Sequence, residues 1–267
     1  RVVIIVFILL HPVHSAFQII DIRQLTFNAG NNISPRFSPL ADKIAFASDR
    51  LDGKTYQIYV MNADGEHIES LTGNTNLSSD KPDWSKQDNG GNIIYKEGGV
   101  GDIKMISSNK GASVIQDIIA KINLSGDAID EGSPSWANTD LYSIAFSSNR
   151  LNQENVELFI YKQGYDTPIR VTNTEGEARN PNWSSDDKRF CFNATIKSSN
   201  RGVPIDVDKE IRRGVPIDVD QEIYITSSEN PTADYIKITN NNYKDEEPTF
   251  SSDDRYIVYS SISFDGT

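Results

Sequence analysis

Short apolar runs alternate with polar, turn-forming clusters along the whole chain, and no stretch sustains a helical period. Ile44-Ala45-Phe46-Ala47 and Ile58-Tyr59-Val60 are two such runs, closed by Ser48-Asp49-Arg50 and by Asn62-Ala63-Asp64-Gly65. Runs of this length, rich in β-branched and aromatic residues and bounded by Asp, Asn and Gly, predict short antiparallel strands. Residues 17–26 alternate apolar and polar positions and end in Leu25-Thr26; the ending returns as Leu71-Thr72, Val171-Thr172 and Ile238-Thr239.

A second element punctuates these runs. Pro35-Arg36-Phe37-Ser38 recurs as Pro82-Asp83-Trp84-Ser85, Pro134-Ser135-Trp136-Ala137, Pro181-Asn182-Trp183-Ser184 and Pro248-Thr249-Phe250-Ser251. Each copy is followed by a polar turn, such as Ser184-Ser185-Asp186-Asp187, and then by an apolar run. The aromatic positions lie 47, 52, 47 and 67 residues apart. Each repeat therefore carries four strand signals: Pro-x-aromatic, an Ile-Ala-Phe run, an Ile-Tyr-Val run and a run ending in Leu-Thr. Four strands in roughly 40–50 residues is the blade period of a β-propeller. A single blade cannot bury both of its faces, so the recurrent Trp or Phe is expected in the seam between stacked blades. A ligand-stacking role for the three tryptophans is the alternative.

The 67-residue interval contains a duplication. Residues 201–212 (Arg-Gly-Val-Pro-Ile-Asp-Val-Asp-Lys-Glu-Ile-Arg) are repeated with two changes as 213–224, so 201–224 is expected to protrude from the fourth blade as an insert. Asp206, Asp208, Asp218 and Asp220 lack the Gly and the later Glu of a compact calcium loop. The last residues, Ser260 to Thr267, align with Ala47 to Lys54 and reach only the second strand of a fifth blade. At the other end, Arg1 precedes nine apolar residues, then Pro12 and the small residues Ser15 and Ala16, the pattern of a signal peptide over 1–16. A buried first strand is the competing reading. The expected division is thus a leader over 1–16 and a propeller over 17–267. In it, 17–26 is the outer strand that closes the ring.

Net charge is −12, and the longest basic run is Arg212-Arg213, which argues against binding to a phosphate backbone. The single cysteine, Cys191, excludes an intrachain disulfide and is expected on a sheet face. Beyond residue 16 the one histidine is His67, too few for a Ser-His-Asp or Cys-His centre, and no Gly-x-Ser-x-Gly occurs. No catalytic residue, metal ligand or cofactor is assigned. One constellation carries a binding expectation: Asp80, Asp130, Glu131, Glu177, Arg179, Asp245, Glu246 and Glu247 lie just before the inner strands. In a propeller such entry loops gather at one mouth of the channel, where a ring of carboxylates would attract a cation or a basic peptide. Five Asn-x-Ser/Thr sequons (Asn32, Asn76, Asn123, Asn182, Asn193) matter only in a glycosylating host.

The repeat resembles that of TolB-type β-propellers: Leu-Thr, then Pro-x-Trp-Ser-Pro-Asp-Gly, then Ile-Ala-Phe-x-Ser-Asp-Arg, then Ile-Tyr-Val-Met-Asn-x-Asp-Gly. Residues 23–65 follow it almost throughout, and the likeness extends over about 20–267. The Ser-Pro-Asp-Gly turn survives only in part, and the α/β domain that precedes the TolB propeller has no counterpart here. The resemblance implies an all-β fold of four-stranded antiparallel blades, four complete and a fifth incomplete, as a fragment of a six-bladed ring. Together with the leader pattern, the short apolar run and the acidic charge, the expectation is an exported, monomeric and non-enzymatic scaffold, periplasmic or secreted, that binds a protein or peptide partner, with no nucleic acid and no stable membrane span. The alternative is the propeller that gates a prolyl-oligopeptidase or dipeptidyl-peptidase-type serine peptidase, its hydrolase domain lying outside this chain.

Overall fold

The computed structural model describes residues 4–7, 21–27, 30–73, 76–99, 101–108, 122, 129–140, 142–162, 164–196, 221–229, 235–241 and 243–262. The strands β1 (Ile4–Phe7) and β2 (Asp21–Gln24) pair antiparallel with each other. Blade one is the sheet β3 (Asn32–Phe37), β4 (Lys43–Ser48), β5 (Gln57–Asn62) and β6 (Glu69–Ser70). Blade two holds β7 (Ser79–Trp84), β8 (Asn92–Glu97) and β9 (Asp102–Ser107) among the described residues. Blade three is β10 (Glu131–Trp136), β11 (Ile144–Ser148), β12 (Glu157–Tyr161) and β13 (Ile169–Arg170). Blade four is β14 (Glu177–Trp183), β15 (Arg189–Thr195), β16 (Glu222–Ser227) and β17 (Ile236–Lys237). Blade five contributes β18 (Lys244–Phe250) and β19 (Ile257–Ile262). Most of the 201–224 insert, and the sequon at Asn123, lie outside the described residues.

Each repeated motif has a structural task. The tryptophans fill the seams: Trp84 and Trp136 are 1% exposed and Trp183 4%. The Trp84 indole donates to Arg36 O (3.0 Å) in blade one and the Trp183 indole to Ser135 O (3.0 Å) in blade three, so each ring is locked to the preceding blade. Phe37, with no described blade on its outer side, is 41% exposed.

In Ser48-Asp49-Arg50, Asp49 accepts from Asn31 N (2.6 Å) and Asn31 Nδ2 (2.9 Å), tying the end of β4 to the entry of β3. The Arg50 guanidinium folds back over the Phe46 and Tyr59 rings, 5.1 and 4.6 Å from their centroids. Ser148-Asn149-Arg150 repeats this: Asp130 N donates to Asn149 Oδ1 (2.7 Å), and Arg150 lies 4.9 Å from both Phe146 and Phe159.

The Leu-Thr ending closes blades one, three and four. The outer strands β6, β13 and β17 are only two residues long. Just beyond each, a threonine hydroxyl accepts a backbone N–H of the third strand: Ile58 to Thr72 (2.8 Å), Leu158 to Thr172 (2.8 Å), Ile223 to Thr239 (2.9 Å). The side chain thereby supplies the acceptor that the short strand does not.

Candidate functional site

The channel is lined by the first strands, and all five share one distortion. The residue before the motif proline is left-handed in each blade: Ser34 (φ 52°), Lys81 (52°), Ser133 (45°), Asn180 (53°) and Glu247 (54°). The pairing register slips at the same place, between Ile33 and Arg36, Asp80 and Asp83, Gly132 and Ser135, Arg179 and Asn182, and Glu246 and Thr249. Proline has no N–H to offer a ladder, so within a sheet it is confined to edges and bulges. The repeated Pro thus builds a bulge into every inner strand and re-aims the side chains just before it.

Those side chains are the predicted site, with two corrections. The first concerns position: except for Asp130, which immediately precedes β10, the named residues lie within the inner strands rather than in entry loops, because the strands begin three or four residues before each proline. The second concerns Glu131 and Asp245, which are enclosed in their blades. Glu131 is 1% exposed and pairs with Arg150 (2.7 Å). Burial pushes its carboxyl pKa up against the pull of that arginine. Asp245 is fully buried and accepts from Ser261 Oγ (2.6 Å) and Asn241 Nδ2 (2.9 Å). Both staple strands within their blades.

The remaining residues converge, but as a mixed-charge network rather than a carboxylate ring. Asp130 receives Lys96 Nζ at 2.7 Å and Arg179 Nη1 at 3.7 Å; Arg179 Nε also meets Glu177 Oε2 at 3.3 Å. Lys96 reaches Asp130 past two glycines: a Cβ at Gly101 would collide with the lysine stem, and one at Gly132 would stand 3.3 Å from its Cδ. Burial opposes ionisation of Asp130, but the hydrogen bonds from Lys96 and Gly101 N–H, with the charges of Lys96 and Arg179, outweigh it and hold the carboxyl below its usual range. Asp80 is pushed the other way. Burial raises its pKa, the carboxylates of Asp130 and Glu247 add to that, and Lys96 and Lys81 only partly offset it. Lys81 pairs with Glu247, and Lys244 with Glu246 at 2.7 Å. Sequence reasoning missed both lysines: Lys81, although it stands beside Asp80 and directly before Pro82, and Lys96, which follows the apolar Ile93-Ile94-Tyr95 run.

Other candidates resolve simply. Cys191 is fully buried, and burial pushes its thiol up to about 12. The His67 ring lies 3.2 Å from Asn62 Nδ2 in an exposed turn. Among the described residues no three His, Cys, Asp or Glu side chains are grouped to hold a metal ion, and no helix is long and apolar enough to cross a membrane. Two hollows of about 240 and 260 Å³ lie away from the charged network, one beside Leu25, Phe27 and Ile68, the other over Trp84 at the seam of blades one and two. Of the sequons, Asn193 is fully buried and bonded to Gln221, Asn32 is 6% exposed, and Asn182 accepts from Phe250 N (2.9 Å) across a seam. Asn76 is exposed.

Consecutive blades with inner strands facing a common axis, each locked to its predecessor through the motif aromatic, decide the architecture. The fold is a TolB-like β-propeller. TolB from Agrobacterium tumefaciens superposes with a TM-score of 0.60 at 16% identity, covering 82% of this chain and 70% of its own. TolB from Acinetobacter baumannii gives 0.60 at 16% identity, covering 91% of this chain and 57% of that one. A puromycin-hydrolyzing peptidase from Mycobacterium tuberculosis gives 0.52 at 10% identity over 82% of this chain and 30% of its own. At these identities the likeness establishes the fold. No protein-family model matches the sequence, and no curated protein does. The TolB-like propeller here therefore spans little more than half of the Acinetobacter TolB and under a third of the peptidase.

Proposed function

We propose that this TolB-like propeller is a non-catalytic, exported scaffold that takes a protein or peptide partner at the channel mouth. One observation carries the reading. Partly exposed charged side chains from blades two, three, four and five (Asp80, Lys81, Lys96, Asp130, Glu177, Arg179, Glu246, Glu247) converge at one end of the inner strands, on bulges that every blade repeats. Fixed charges of both signs on a rigid frame select a partner by charge complementarity. Export rests on the pattern of residues 1–16. Glu131 and Asp245 drop out of the binding set because they are buried.

The test is capture of partners from an envelope or secreted fraction by the immobilised protein. Asp130→Asn combined with Arg179→Gln should abolish capture of a specific partner that the exposed-loop variant Asp52→Asn retains. Equal capture by both variants would place binding elsewhere. The second reading, a gate for a serine peptidase, is favoured by the fold it shares with the Mycobacterium peptidase. It requires that a hydrolase domain be encoded with this chain and that peptide hydrolysis be lost when the propeller is deleted.

A further inference from the structure

Lys81 belongs to blade two and Glu247 to blade five, yet their side chains meet. The strands that pack face to face belong to consecutive blades: one with two, two with three, three with four, four with five. Blades two and five are separated by two others, so a contact between them runs across the channel rather than through a seam. Both residues occupy the same position in the repeat, directly before the motif proline, and both are left-handed, with φ of 52° and 54°. The bulge re-aims each of them toward the axis.

The remaining members of this ring differ. Ser133 Oγ donates to Asn180 Oδ1 (2.9 Å) between neighbouring blades, and Asn180 Nδ2 in turn donates to Asn193 Oδ1 (2.8 Å) inside blade four. Those bonds follow the wall of the channel. The Lys81–Glu247 pair spans it.

The geometry points to a charge latch: Lys81 and Glu247 close the channel between blades two and five, and anything entering the channel must part them. The pair suits an opening device. Its side chains are 25% and 39% exposed, so solvent can reach both ends when they separate. A half-exposed ion pair is weak enough to open with a small change in free energy, unlike a fully buried one. Asp80, beside Lys81 in sequence and within its field, offers the lysine a second carboxylate, so the open state keeps the cation compensated. A ligand that supplies its own charged group to Lys81 or Glu247 would shift the population toward that open state. Its use as a binding gate rests on the reading of the mouth as the binding site; its existence does not.

A cysteine in the ring reads the latch without any partner. Cys191 is fully buried and forms a silent background, so Ser133→Cys introduces one reactive thiol. The probe is a small neutral methanethiosulfonate applied to the full chain. Breaking a partly exposed pair should raise the labelling rate of Ser133→Cys about two- to fivefold in Glu247→Gln, the scale of an open–closed equilibrium biased by one such pair. Lys81→Met should do the same, and provides the measurement if the first variant folds poorly. The charge swap Lys81→Glu with Glu247→Lys should return the rate to its starting value. Unchanged labelling in both single variants overturns the latch, and so does a swap that labels as fast as the single variants. A propeller that binds no partner would still show the effect, so failure of the binding reading and failure of the latch are separable.

Discussion

Thr172→Val removes one hydroxyl from the end of blade three and tests the claim that the Leu-Thr ending is a strand substitute. Thr172 is fully buried; its Oγ1 accepts Leu158 N (2.8 Å) and donates to Glu157 Oε2 (2.5 Å). Valine keeps the shape and loses both bonds. A buried N–H left without an acceptor costs about 1–2 kcal/mol, and a hydrogen bond to a charged group contributes about 1.5–3 kcal/mol, for a total near 3–4 kcal/mol. Blade one provides the control. Thr72 accepts Ile58 N at 2.8 Å in the same way, but Gln57 stands where Glu157 does, and its Oε1 has no hydrogen-bond partner among the described residues. Thr72→Val should therefore cost only the N–H contribution, about 1–2 kcal/mol. The difference of about 2 kcal/mol corresponds to roughly 4–8 °C in melting temperature for a domain of this size. Urea unfolding followed by tryptophan fluorescence suits the comparison, because Trp136 and Trp183 sit in the seams on either side of blade three. Stacked repeats can unfold in steps, so the two variants are compared at the transition that reports those seams. Equal losses for Thr72→Val and Thr172→Val would show that the glutamate contributes nothing. Losses under about 0.5 kcal/mol in both, the scale of a neutral surface change, would remove the strand-substitute account.

Trp136→Ala should destabilise by about 3–5 kcal/mol, the usual cost of deleting a buried aromatic, read as a lower urea midpoint; a loss below 1 kcal/mol would mean that the seam repacks without it. Cys191, its thiol pushed up to about 12 by burial, should resist a thiol reagent in the native protein and react on unfolding, and fast native labelling would contradict its placement. Asp80→Asn should raise the melting temperature at pH 7 and leave it unchanged near pH 3. Burial raises the folded pKa of Asp80 above its unfolded value, so the folded state binds the extra proton and stability is lost as pH rises from the ordinary carboxylate range through the folded pKa. Asparagine carries no charge to desolvate, and a lower melting temperature at pH 7 would show instead that the carboxylate stabilises the network through Lys81 and Lys96.

The blades were legible because their signals are local and repeated. Leu-Thr, Ser-Asp-Arg and Pro-x-Trp each perform one task inside a blade or a single seam, and the same task recurs where the motif recurs. Even the departures are informative. Glu157 and Glu222 both accept a threonine hydroxyl at 2.5 Å, and Gln57 cannot take their place as a charged acceptor. The boundaries of the inner strands were read too late, at the proline, because a residue that breaks a ladder is ordinarily a boundary; here it marks a bulge in mid-strand.

The site was harder for a physical reason that the bulge makes plain. Periodicity assigns side chains to faces by counting in twos, and a one-residue slip moves every following side chain to the opposite face. In blades two, four and five the slip falls at charged residues, so sequence spacing alone could not place Lys81, Arg179 or Glu247 on a face; Glu131 and Asp245 lie before the slip and are set apart by their burial in the blade. Nor could spacing pair Lys81 with Glu247, separated by 166 positions and by two intervening blades. The carboxylates were visible as a set, whereas their compensation was not. What looked like a ring of negative charge is a network whose cations come from three inner strands (Lys81, Arg179, Lys244) and from a second strand (Lys96), so the partner proposed for this mouth would meet an alternating pattern rather than a uniformly acidic field. That difference is measurable: alternating charge gives binding that depends on the sequence of a peptide more than on its net charge, and weakens only modestly with salt, whereas an acidic ring would favour any basic peptide and lose it steeply as ionic strength rises.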